Sequence, residues 1–136
     1  MTLDVEMKPI VEEIRRIIPG ILAIYAYGSR VRQEQHPGSD LDLAVLLPRG
    51  SDVSLADLAQ LQGDLECMVG FPVEISILSP ENQTVHCKEV VTGGQKVFVA
   101  DPRAVDGFEM YALSSYARLC EERARVVEAY AERSDR

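Results

Sequence analysis

The chain has 136 residues, 46% of them hydrophobic, and its 14 Lys and Arg against 22 Asp and Glu give a net charge of −8. That length describes a single domain over 1–136, and that apolar content fills one core and excludes a disordered chain. The acidic balance excludes a surface that grips nucleic acid through clustered Lys and Arg, and no apolar run reaches the roughly 20 residues that span a bilayer.

The opening MTLDVEMKPI carries acids where a secretory signal would be basic and then apolar, so a cytoplasmic protein is expected. Met7, Ile10, Val11, Ile14, Ile17 and Ile18 recur at spacings of three and four, one stripe of a helix that Pro19-Gly20 stops. Ile21–Tyr27 (ILAIYAY) has the composition of a buried strand, broken by Gly28-Ser29. Residues 30–39 are polar and irregular, with a turn at Pro37-Gly38, before a second strand over Leu41–Leu47. Ser54 with Asp57 predicts a capping box. The helix behind it carries a stripe of Leu55, Leu58, Leu61, Gln62, Leu65, Met68 and Val69, and Gly70 ends it.

Val73–Leu78 is a third strand. Ser79-Pro80 predicts the cap and first position of a short helix to about Val91; Gly93-Gly94 ends it, and KVFV forms an edge strand. Asp101-Pro102 repeats the cap-and-proline start. From there Val105, Phe108, Ala112, Ser115, Tyr116, Leu119, Cys120, Val127 and Tyr130 keep helical spacing almost to the end. The order of elements predicts an α/β (α+β) domain, a small mixed β-sheet flanked by helices.

Asp40 and Asp42 stand at i and i+2, so both carboxylates emerge on one face of the second strand while Leu41, Leu43 and Val45 point the other way. Such a pair repels itself unless a cation neutralises it, and an oxygen-only pair suits Mg²⁺. Taken alone, D-L-D equally describes a loop entering a strand with both acids solvated. Gly28 can turn the chain sharply beside a phosphate, and Ser29 with exposed N–H groups can cradle it, with Arg30 and Arg32 adding positive charge. Glu74 faces away from Val73, Ile75 and Ile77. Beside the Asp40–Asp42 strand it would complete a three-carboxylate site for Mg²⁺ and nucleotide phosphates; otherwise it is an exposed acid on an edge strand.

Gly28-Ser29, ten residues, then Asp40-Leu41-Asp42 resembles the signature of the DNA polymerase β-like nucleotidyltransferase superfamily. The longer string YGSRVRQEQHPGSDLDLAVLLP is similar in particular to the minimal nucleotidyltransferases, the MNT antitoxins paired with HEPN-domain toxins. The resemblance implies a polymerase β-like fold with a long C-terminal helix. It makes Asp40 and Asp42 the principal Mg²⁺ ligands, has Gly28 and Ser29 bind the phosphates of ATP, and makes Glu74 the third carboxylate. It also implies transfer of AMP from ATP to a tyrosine of a HEPN ribonuclease toxin, which silences the toxin. The third acid is more commonly Asp in such relatives, and Gln33 stands where they often carry Gly.

Other residues carry weaker signals. His36 lies in the loop before the acids, and His86-Cys87 lacks a matching ligand pair for a metal. Tyr25 and Tyr27 read as strand core, whereas Tyr111, Tyr116 and Tyr130 fit either a partner interface or packing within the domain. Cys67, Cys87 and Cys120 are odd in number and widely spaced, which predicts reduced core thiols. Two other functions fit the same residues: an antitoxin acting by complex formation alone, and a small-molecule nucleotidyltransferase of the antibiotic-modifying type.

Overall fold

A computed structural model describes residues 5–34 and 39–134 of the chain. Its elements are α1 (Met7–Ile17), β1 (Ala23–Tyr27), β2 (Leu41–Leu46), α2 (Leu55–Val69), β3 (Val73–Ile77), α3 (Thr84–Gly93), β4 (Gln95–Val99) and α4 (Pro102–Ser134). The strands form one mixed sheet in the order β3-β2-β1-β4. β1 pairs antiparallel with β2 and β4, and β2 pairs parallel with β3. Parallel neighbours need a crossover, which α2 supplies.

The period of two along each strand divides the core between the two faces of the sheet. Ile24, Ala26, Leu41, Leu43, Val45, Val73 and Ile75 face α1 and α2, meeting Ile10, Ile14, Leu61 and Leu65. Ala23, Tyr25, Ala44 and Leu46 face α3 and α4, meeting Cys87, Val90, Val105 and Ala112. Pairing slips between Ile24 and Tyr25, whose partners on β4 are Phe98 and Lys96. Val97 is the extra residue of this bulge, so Val97 and Phe98 both pack on the α1–α2 side.

The predicted caps act as expected at two helices. Ser54 Oγ accepts the Asp57 N–H at 3.1 Å, and Asp101 Oδ1 accepts those of Arg103 at 3.1 Å and Ala104 at 3.3 Å. Gly70 closes α2 at φ 82°. At α3 the structure corrects the expectation. The Ser79 carbonyl takes the N–H groups of Asn82 and Gln83 in a separate turn, Gln83 then leaves helical geometry at φ −136°, and α3 starts at Thr84 rather than at Pro80. The cysteines also divide differently, because only Cys87 is buried while Cys67 and Cys120 are exposed. The Pro37-Gly38 turn and His36 lie outside the described residues.

α4 packs on α3 through its first turns and then leaves the domain, with Val126, Val127 and Tyr130 exposed. No helix among the described residues is long and apolar enough to cross a membrane. Leu61→Ala, at a fully buried position, is expected to cost about 2–5 kcal/mol in urea denaturation. Val127→Ala on the exposed part of α4 should change stability by no more than about 0.5 kcal/mol.

Candidate active site

The site forms at the end of the sheet where β1 stops and β2 begins. β1 finishes at Tyr27, and the chain turns at Gly28 with φ 84°. A Cβ at Gly28 would overlap Asp42 Oδ2, so position 28 needs glycine both for its backbone angle and for the close approach of β2. The turn is held from behind, with Arg32 N–H donating to the Gly28 carbonyl at 3.1 Å and Glu34 N–H to the Ser29 carbonyl at 2.9 Å. Ser29 is half-buried, and among the described residues its hydroxyl makes no hydrogen bond.

Register then assembles the acids. Asp42 pairs with Tyr27 on β1 and with Glu74 on β3, so three side chains form one row across three strands. Asp40 stands two residues earlier on the same side. β3 lies beside β2, and Asp40, Asp42 and Glu74 each offer a carboxylate oxygen within 4.8 Å of the others. Burial pushes the Asp42 carboxyl above the usual carboxylate range, with the charges of Glu74 and Asp40 adding to the rise; Arg32 and His86 oppose it. Three anionic oxygens this close are an arrangement that a hard cation would relieve.

Arg30 departs from its expected place at a phosphate. Its side chain is buried, with the guanidinium 3.6 Å from the centroid of the Phe71 ring and donating to the Ser39 carbonyl through Nε at 3.1 Å and Nη2 at 2.8 Å. The side chain therefore links the Gly-Ser turn to the residue before Asp40. Arg32 is the arginine left at the surface, its Nε donating to Glu34 at 3.1 Å.

The structure also brings together three residues that carried no signal as a set. Ser76 Oγ lies 3.1 Å from His86 Nε2 and 3.4 Å from the Tyr27 hydroxyl, on the same face as Glu74. Ser76 follows Glu74 by two residues, which was the one available hint; His86 arrives from α3, and nothing local announces it.

An α/β domain that gathers three carboxylates beside a Gly-Ser turn at the end of its first strand has the layout of a nucleotidyltransferase. Residues 10–103 match the family described as Polymerase beta, Nucleotidyltransferase, and the chain belongs to this nucleotidyltransferase family. It is 30% identical over 120 residues to the protein adenylyltransferase MntA of Shewanella oneidensis, across 88% of this chain and 83% of that one. The crystal structure of a toxin-antitoxin with AMP-PNP superposes with a TM-score of 0.78 at 25% identity, covering 93% of this chain and 99% of that chain. The structure of the tri-AMPylated Shewanella oneidensis HEPN toxin in complex with MNT antitoxin shares the fold. Its TM-score is 0.71 at 24% identity, covering 90% of this chain and 93% of that one.

The electrostatics of Asp42 have a measurable sign. A carboxyl raised on folding binds its proton more tightly in the native state, so stability is lost as pH rises from the ordinary value near 3.9 through the raised one. Asp42→Asn removes that loss. In chelator-treated buffer the variant is expected to melt at a higher temperature than wild type at about pH 7, with the difference vanishing near pH 3.

Proposed function

We propose that the chain is a Mg²⁺-dependent adenylyltransferase that moves AMP from ATP onto a tyrosine hydroxyl of a HEPN-domain toxin and thereby neutralises it. The observation that carries this reading is the convergence of Asp40, Asp42 and Glu74 beside the Gly28–Ser29 turn. Kinship with a protein adenylyltransferase supports the nucleotide and the reaction. The donor set fits the metal, because all three groups are carboxylates and Mg²⁺ takes oxygen ligands. Asp40 and Asp42 would hold it, with Glu74 completing the set. When bound, the cation neutralises triphosphate charge and the charge that develops during transfer.

The chain's own groups supply the remainder. Gly28 turns the chain against the Asp42 carboxylate, and this places the Ser29 hydroxyl to donate to phosphate oxygens. Arg32 takes the part expected of Arg30, adding positive charge near Asp42. Glu74 orients the acceptor hydroxyl and draws off its proton as the acceptor oxygen bonds to the α-phosphorus. The bond from that phosphorus to the bridging oxygen breaks, and pyrophosphate leaves.

A protein acceptor suits the topology. β3 is an edge strand and Glu74 is exposed on it, so a partner can reach the carboxylates from the side of the sheet. The uncovered apolar residues of α4 support a stable protein partner, and the net charge of −8 suits one with a basic face and argues against direct nucleic-acid binding. ATP supply and the free thiols fit a single-domain cytoplasmic protein.

Co-expression with the toxin-type partner, followed by intact-mass measurement, tests the reading. One or more AMP-sized increments are expected on the partner with wild type and none with Asp40→Asn. A tight complex with no added mass in either sample would instead favour neutralisation by binding alone. In single-turnover assays Glu74→Gln is expected to slow transfer about 100-fold or more while nucleotide affinity stays within about threefold. Unchanged transfer would remove Glu74 from the reaction.

A further inference from the structure

Tyr27, Ser76 and His86 border the carboxylates on their inner side, and the transfer step described above uses none of them. The Tyr27 and His86 rings meet edge to face, with centroids 5.3 Å apart and planes at 74°. Ser76 bridges them, 3.1 Å from His86 Nε2 and 3.4 Å from the Tyr27 hydroxyl. Tyr27 is the register partner of Asp42, and Ser76 stands two residues inward of Glu74 on the same face. Ala44, the register partner of Ser76 on β2, is small and fully buried, and belongs to the core behind the pair.

Both rings are half-buried rather than sealed in the core, although α3 already docks on the sheet through Cys87 and Val90. Among the described residues His86 makes no hydrogen bond other than the one to Ser76. Tyr27 lies beside Asp42 in the register and offers an aromatic surface next to an anionic site. A ring placed next to such a pair gains an edge or face contact, and a hydroxyl on its far end can reach toward the carboxylates. An aliphatic hydroxyl makes no comparable contact.

We propose that Tyr27 and His86, braced by Ser76, are the seat for the ring of an aromatic acceptor whose hydroxyl is presented at Glu74. This selects phenolic over aliphatic hydroxyls, and it rests on the AMP-transfer reading above.

The test pairs kinetics with a binding measurement that needs no turnover. With the toxin-type partner as acceptor, His86→Ala is expected to lower kcat/KM for the acceptor about tenfold and leave KM for ATP unchanged. His86→Phe keeps a ring but loses the Ser76 hydrogen bond, and should recover most of that loss. Independently, the chain has only two histidines, so ring signals of His86 can be assigned by NMR with His86→Ala and followed against those of His36. Titration with N-acetyltyrosinamide should shift the His86 signals, and N-acetylserinamide should not.

Unchanged acceptor kinetics, an equal loss for ATP and acceptor, or failure of Phe to restore activity would overturn the seat. Equal responses to the two amides would do the same. If wild type transfers no AMP but the tyrosine amide still shifts His86, the transfer reading fails and the aromatic seat stands.

Discussion

Asp42 is the register partner of Tyr27 on antiparallel β1 and of Glu74 on parallel β3, and its carboxylate emerges at the end of the sheet where β1 stops. That double pairing places Glu74 beside it and fixes how near Gly28 must come. Any side chain at position 28 would collide with the Asp42 carboxylate, so the Gly-Ser turn and the acids are held together by one close contact. Burial and like charge at Asp42 oppose folding, and the two packed faces behind the site supply the stability that tolerates it. Such a cluster is what a site for a cation and a polyphosphate requires.

The rest of the architecture serves that placement. α2 returns the chain so that β3 runs parallel to β2, and this brings Glu74 level with Asp42. Arg30, next to the Gly-Ser turn, ties the Ser39 carbonyl to the Phe71 ring after α2, so the turn and the residue before the first acid are held at a fixed spacing. β3 at the sheet edge leaves Glu74 exposed, while α3 and α4 close the inner half of the same face. One end of this face is thus core, and the other gathers the three carboxylates.

Much of this was legible in the sequence because it follows from periodicity. Alternation along Leu41–Leu46 and Val73–Ile77 put the acids on one face, and the spacing from Gly28-Ser29 to Asp40 carried the family likeness. What could not be read depends on contacts between distant elements. Arg30 follows a turn and looks like a phosphate ligand until Phe71, far along the chain, gives its guanidinium a buried surface to stack on. Ser79-Pro80 has the chemistry of a helix start, but the Ser79 carbonyl is spent on a local turn and the helix waits until Thr84. Cys67 and Cys120 look apolar in composition, yet they fall on the outer faces of α2 and α4. His86 joins the site only because α3 lies across the sheet beside Ser76.

The central claim is that Asp40, Asp42 and Glu74 hold a divalent cation together with a nucleotide. Titration of Mn²⁺, followed by its electron paramagnetic resonance signal in the presence of a non-hydrolysable ATP analogue, reads that most directly. Wild type is expected to take up Mn²⁺ in a nucleotide-dependent way, and Asp42→Asn to lose that uptake while keeping its fold by circular dichroism. Equal Mn²⁺ uptake by both proteins would mean that the three carboxylates are not the cation site, and the proposed chemistry would have to be rebuilt elsewhere on the chain.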